Sequence, residues 1–457
     1  MRAEETIAAV STPFGEGGIG IVRVSGDRAI EVVDGIFRGK TSVGQMEDRR
    51  VYYGWIVGEG REIDEVLVWV MRGPRSFTGE DVVEINGHGG VLVLRKMLRE
   101  ALRHGARLAE RGEFTRRAFL NGKLDLVQAE AVVDLIEAKS DGALRAAYRQ
   151  LQGGLSDRMW EVKEGIADGL ALMEASLEFD EDEVEIDGGE VGERMRKAEE
   201  EVSRLLDSFR FGKILREGID VVILGKPNVG KSSLLNLLLG EDRAIVTEIP
   251  GTTRDMIEER AEIGEMAFNL VDTAGVREHS SDLIEQEGMR RARARCAAAD
   301  AAVVVLDAAG EMDREDRAVF EMAKMRRKVV VLNKCDLEQR IDLEAVRSAA
   351  DGAPVVEMSA LEGWGTEDLR GAIAGLFSDI GPTAAEAEMV TKERHVDCLR
   401  RTGNALRLAE EALRTGLSYE YVAFDLREAL DAMGEMLGDT TTEEILDRIF
   451  ERFCIGK

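Results

Sequence analysis

Residues 219–225, IDVVILG, form a β-branched run that leads into GKPNVGKS at 225–232 and then into the apolar SLLNLLLG. Strand, glycine-rich loop and helix in that order leave a chain few ways to fold. The loop's backbone N–H groups belong to no helix or strand, and they need acceptors. Phosphate oxygens at a helix N-terminus are such acceptors. In this reading Lys231 reaches the β- and γ-phosphates and Ser232 ligates Mg²⁺, while Asn228, Val229, Gly230 and Ser233 complete the loop.

Three further elements follow in order. TEIPGTTRD at 247–255 supplies Thr247, Glu248, Ile249, Pro250, Gly251 and Thr252, with Thr253 as a second hydroxyl for Mg²⁺. FNLVDTAG at 268–275 reads as a strand ending in Asp272, then Thr273, Ala274 and Gly275, the glycine placed to sense the γ-phosphate. KVVVLNKCD at 328–336 reads as a strand ending in Asn333, Lys334, Cys335 and Asp336. Guanine presents two donors, N1–H and its exocyclic amine, that one carboxylate can accept; adenine presents neither there. Asp336 therefore selects GTP over ATP. Ser359, Ala360 and Leu361 follow another β-run, PVVEM, and close the base pocket. Residues 216–379 are expected to be an α/β GTP-hydrolysing module.

One residue departs from the common pattern. Val276 follows DTAG where many regulatory GTPases carry a water-orienting glutamine. An apolar side chain cannot orient water, so another group must stabilise the transition state. Asn228, with loop oxygens from 247–252, can hold K⁺ against the phosphates; equally, Asn228 can simply brace the loop.

Around this module the pattern changes. Residues 19–24 and 82–86 are short β-branched runs, 51–57 and 63–71 flank a turn-like GEGRE, and 91–103 has helical spacing. Residues 1–118 thus read as an α+β domain. Apolar positions recur at helical spacing over 124–215 and again over 390–453. A helical domain in two parts, 119–215 and 380–457, with the module inserted between them, is the simplest architecture.

Composition narrows the setting. Net charge is −28, so any nucleic-acid contact must be local or shared with a partner. Eight acids and no base fall within 178–190, which reads as a solvated loop. The basic clusters at Arg116–Arg117, Arg290–Arg295 and Arg326–Lys328 read as solvated helix faces. Cys296, Cys335, Cys398 and Cys454 lack metal-ligand spacing and are expected to be reduced thiols of a cytoplasmic protein. No apolar run is long enough for a membrane span, and no secretory signal is evident.

The whole chain resembles the bacterial tRNA-modification GTPase MnmE (TrmE) family. The matching stretches are GEGGIGIVRVSG (15–26), RSFTGEDVVEINGHGG (75–90), RGEFTRRAFLNGKLDLVQAEAVVDLI (111–136), PGTTRD, DTAG and the terminal FCIGK (453–457). The resemblance implies an N-terminal domain that binds a tetrahydrofolate derivative, 5-formyl- or methylene-tetrahydrofolate, and forms the homodimer. It implies a discontinuous helical domain and a K⁺-binding GTPase domain. It implies an MnmG-type FAD-dependent partner in a heterotetramer, and tRNA as the substrate. The modification is an aminomethyl or carboxymethylaminomethyl group at carbon 5 of the wobble uridine.

By the same resemblance, K⁺ would be held by Asn228, Thr247, the Ile249 carbonyl and Thr252, and Mg²⁺ by Ser232 and Thr253. Folate would be held by Arg23, Glu84, Lys123 and Lys457; by charge alone, apart from the resemblance, the cations suit its glutamate tail and Glu84 its pterin. Glu285, anchored by Gly288, maps to the family's water-orienting glutamate, although REHSSDLIE is one residue longer than the commonest pattern. Cys454 maps to a thiol implicated in the modification, just past a helix expected to start with a capping box from Thr441 to Glu444. His88 is either a site residue or a core histidine. A ribosome-assembly GTPase and a nucleotide-switched scaffold are the competing readings; the first usually carries a basic RNA-binding domain, and no such domain is evident here.

Overall fold

The computed structural model describes residues 5–178, 188–240, 259–272, 299–324, 327–378 and 388–457. The chain forms two compact units, one of residues 1–136, 149–202 and 397–457, the other of residues 137–148 and 203–396.

The first unit opens with a seven-stranded sheet. Its strands are β1 (Ile7–Val10), β2 (Gly20–Ser25), β3 (Phe37–Gly39), β4 (Tyr52–Gly58), β5 (Arg61–Met71), β6 (Val82–Gly87) and β7 (Arg107–Leu108), in the order β3-β4-β5-β6-β2-β1-β7. β4 and β5 pair antiparallel, as the turn between them requires. Helices α1 (Ala29–Ile36) and α2 (Val91–Arg103) cover one face. Leu94, Met97 and Ala101 lie on one stripe of α2 and are fully buried with Val22, Val24, Val68 and Ile85. The opposite face near β1 is closed by Phe114 of α3 (Glu113–Leu120), packed on Ile7 and Ala9.

Helices α4 (Leu126–Glu137), α5 (Asp141–Leu151), α6 (Gly154–Glu178) and α7 (Gly188–Glu217) follow. After the inserted segment come α12 (Glu393–Arg414), α13 (Tyr419–Leu437) and α14 (Glu443–Phe450). α14 buries Leu446, Ile449 and Phe450, together with Phe453 beyond it, against Leu126 and Ala129 of α4. Each such side chain contributes about 1.5–3 kcal/mol when fully buried.

Three sequence readings are corrected here. Thr442, not Thr441, caps α14, accepting from the Ile445 amide at 3.4 Å; the Thr441 hydroxyl instead donates to the Glu435 carbonyl at 3.1 Å. Arg116 and Arg117 are not a solvated face but 8% and 4% exposed. Arg116 pairs with Glu443 and Asp447 of α14, and Arg117 with Glu80 and Glu113. Ion pairing is what allows these cations inside: Arg117 meets the shielded acids Glu80 and Glu113, whereas Arg116 reaches out to two exposed acids. Finally, Arg327 and Lys328 open a strand rather than a helix, and Arg327 lies over the Phe377 ring.

The second unit carries β8 (Ile219–Leu224), α8 (Lys231–Leu239), β9 (Glu259–Ile263), β10 (Met266–Asp272), β11 (Ala301–Asp307), α9 (Arg314–Met322), β12 (Arg327–Asn333), α10 (Leu343–Ala350), β13 (Val355–Glu357) and α11 (Thr366–Gly375). The sheet order is β13-β12-β11-β8-β10-β9, with β9 alone antiparallel to its neighbour. Val221 and Ile223 face one core, with α8 and α11; Val222 and Leu224 face the other, with α9 and α10. Burial on both faces is why β8 reads as a continuous apolar run. β8 lies near the middle of the sheet, so its loop opens at the carboxyl edge where doubly covered sheets bind ligands.

Candidate functional site

The loop between β8 and α8 curls by two left-handed residues, Asn228 at φ 62° and Gly230 at φ 96°. Asparagine tolerates that conformation better than most residues, which gives the exposed Asn228 a backbone reason to be there. Lys231 is 7% exposed, and its ammonium donates to the carbonyls of Gly225 at 3.0 Å and Lys226 at 2.6 Å. Val229 is buried in the core; Ser232 and Ser233 are exposed on the first turn of α8. A buried ammonium inside a glycine-turned loop at a helix N-terminus fits a polyphosphate.

Asn333 joins this loop to the NKCD loop and to the turn after β13. Its side-chain amide donates to the Val229 carbonyl at 2.8 Å, and its oxygen accepts from the Ala360 amide at 2.9 Å. One buried side chain thus fixes GKPNVGKS, NKCD and the Ser359–Leu361 turn together. Lys334, at φ 66°, pairs with Asp307 at 2.6 Å. Cys335 donates its backbone N–H to Met358, and burial raises its thiol's pKa. Asp336 is exposed, its carboxylate open to solvent. Ser359 is fully buried, whereas Leu361 is 83% exposed. Asp272 ends β10. Thr247, Glu248, Ile249, Pro250, Gly251, Thr252, Thr253, Thr273, Ala274, Gly275, Val276 and Glu285 lie outside the described residues.

In the first unit, pairing of β2 with β6 sets Arg23 opposite Glu84, and their charged groups meet at 2.7 Å. The rings of Phe77 and Phe114 flank Arg23, each 5.6 Å from it. The chain's last residues dock beside this pair. Cys454 and Lys457 carbonyls accept from the Gly112 and Phe114 amides, and the Gly456 carbonyl accepts from Ser11 at 3.2 Å and Arg23 at 3.4 Å. Burial and then Arg23 lower the pKa of Lys457, with Glu84 opposing. Cys454 is exposed. Three of the four folate candidates therefore gather with the terminal thiol. Lys123 does not join them; it is exposed and donates to the Pro74 carbonyl at 3.1 Å. Arg23 and Glu84, being in contact, form one charged pair rather than two separate contact points.

A model of the MnmE helical domain matches residues 126–454, and one described as the GTP-binding protein TrmE N-terminus matches residues 6–123. The tRNA modification GTPase MnmE of Alkaliphilus oremlandii is 43% identical over 100% of both chains. The chain belongs to the MnmE family. The family's member from Symbiobacterium thermophilum is 49% identical over 99% of this chain and 100% of its own. Among solved structures, Aquifex aeolicus Era bound to GDP and aluminium fluoride is 25% identical over 42% of this chain and 67% of its own, at a TM-score of 0.28, too low to bear on the fold.

Some site features were not legible beforehand. His88 is no core residue: Asp64 accepts from its backbone amide and bonds its imidazole, both at 2.7 Å, and the ring is exposed. Asp307 was missed because β11, AAVVVLD, resembles any buried strand until its pairing with β8 and β12 is known. Among the described residues no helix is long and apolar enough to cross a membrane.

Proposed function

We propose that this chain is a K⁺-dependent GTPase that modifies carbon 5 of the wobble uridine of certain tRNAs. It does so as a cytoplasmic homodimer with an MnmG-type FAD-dependent partner. Residues 1–118 would hold the folate derivative that donates one carbon, and 119–215 with 380–457 would form the helical domain. Residues 216–379 would bind GTP with Mg²⁺ at Ser232 and Thr253. K⁺ would sit with Asn228, Thr247, Ile249 and Thr252, and Glu285 would orient the water. The observation that carries the reading is Asn333, which locks the phosphate loop to the guanine loop. For folate, the support is the meeting of Arg23, Glu84 and Lys457, which groups cationic donors and a carboxylate acceptor in one place. Nucleoside mass spectrometry of tRNA from cells lacking the protein tests the reading; an unchanged wobble-uridine profile would sink it.

Asp336→Asn should place a donor against guanine's own donors, costing about 1–3 kcal/mol, roughly tenfold to a hundredfold in GTP affinity. Xanthosine triphosphate should recover part of that loss. Titration of both nucleotides into both proteins checks it, and wild-type GTP affinity in the variant would remove the basis for guanine selection.

Exchanging KCl for NaCl at constant ionic strength should slow turnover on the order of a hundredfold, the lower end of the scale for losing one transition-state stabiliser. Asn228→Ala should erase the difference between the salts. Equal rates for the unaltered protein in both salts would mean that Asn228 only braces the loop.

A further inference from the structure

The junction between β11 and α9 touches both nucleotide loops through charged side chains. At its start, Asp307 accepts from the Lys334 ammonium at 2.6 Å, and the Ala308 amide donates to the Asn333 carbonyl at 2.8 Å. At its end, the Lys226 ammonium lies 2.8 Å from Asp313 and 2.8 Å from Asp316. Lys226 is the second residue of GKPNVGKS, and its own carbonyl accepts from the Lys231 ammonium at 2.6 Å.

The helix does not need this lysine. Asp313 caps α9 with one oxygen, accepting from the Glu315 amide at 2.8 Å and the Asp316 amide at 3.1 Å. Asp316 closes the capping box by accepting from the Asp313 amide at 3.0 Å. Lys226 takes the remaining oxygen of Asp313 and shares the Asp316 oxygen. Asp316 is 3% exposed, so its carboxylate is largely stripped of water and its attraction for a cation is strengthened. The loop, by contrast, must hold two left-handed residues in place without strand or helix bonds of its own. Burial lowers the pKa of Lys226, but the two carboxylates outweigh it and raise it above the ordinary lysine value, so the clamp stays charged.

We infer that Lys226 is a positioning residue for GTP: the α9 cap pair Asp313–Asp316 grips it and so fixes the phosphate loop that Lys231 completes. The inference rests on the reading of this loop as a GTP site. Lys226 itself needs no contact with nucleotide. Its effect passes through the carbonyl that holds Lys231 and through the curvature of residues 226–230.

The test uses the full chain and titration with a fluorescent GDP analogue and with GTP, alongside steady-state kinetics and thermal melts. Lys226→Met should raise KM for GTP about tenfold, the scale of one lost charge-assisted bond, with kcat nearly unchanged. Lys226→Arg should restore most of the affinity. Asp316→Asn should weaken binding in the same direction, and the double variant should be no worse than Lys226→Met alone. Wild-type KM in Lys226→Met, strictly additive losses, or no rescue by arginine would each overturn the inference. A fall in melting temperature in proportion to the affinity loss would assign the pair to the helix cap instead. Should the unaltered chain bind no guanine nucleotide, the GTP reading itself fails, and this inference with it.

Discussion

Gly230→Ala is expected to abolish measurable GTP binding while the chain still folds. A Cβ at Gly230 would sit 2.1 Å from the side-chain nitrogen of Asn333. That nitrogen belongs to the buried side chain that joins the phosphate loop to the base loop, so it cannot swing into solvent. The position is also left-handed, at φ 96°, which alone costs about 1–2 kcal/mol for an L-residue. Relief would come only by moving Asn333 or unwinding the loop, and either one separates the two halves of the site. The expected loss is about a hundredfold or more in affinity. Gly371→Ala is the control. It lies in α11 with nothing within 4 Å of an added Cβ, so it should be neutral or stabilising by about 0.4–1 kcal/mol. Fluorescent-nucleotide titration with far-UV circular dichroism separates the outcomes. GTP affinity within threefold of wild type in a folded Gly230→Ala protein would refute the bracing role of Asn333.

Cys454→Ser should eliminate tRNA modification and leave GTP turnover intact. The thiol is exposed, yet the residues around it are fixed. Phe453 on one side is 2% exposed in the α4–α14 core. Gly456 on the other, at φ 99°, lies so close to β1 that a Cβ would meet the Val10 carbonyl at 2.3 Å. A tail held this firmly presents its thiol beside Arg23, Glu84 and Lys457 rather than at a frayed end. Serine keeps the shape and removes the soft nucleophile. Wobble-uridine modification in a complementation assay should fall to the level of cells lacking the protein. Calorimetry with 5-formyltetrahydrofolate should still report binding. Full modification by the serine variant would reduce Cys454 to a bystander, and a joint loss of GTPase activity and stability would make it structural.

Much of the fold was legible because its signals are local. The 219–225 run became β8, 91–103 became α2, and the turn-flanked pair became β4 and β5. Such elements declare themselves by side-chain period and by glycine position. The cap of α14 moved by one residue because two adjacent threonines can both play that part, and only backbone geometry selects Thr442. Arg116 and Arg117 were misread because helical spacing gives no sign that acids from 80, 443 and 447 will converge on them.

The sequence by itself determined the kind of ligand and the order of the parts. GKPNVGKS and NKCD point to phosphate and guanine chemistry because only certain backbones and donors suit those groups, wherever the loops lie. Only the tertiary structure decided which distant residues share a site. Strand register set Arg23 against Glu84, the docked terminus added Lys457 and Cys454, and Lys123 went to Pro74 instead. The β11–α9 junction gained its meaning the same way, since Lys226 and Asp316 are 90 positions apart and meet only because β8 and β11 are neighbours in the sheet. Local chemistry is written along the chain; long-range pairing depends on register and on helix docking, which no single segment encodes.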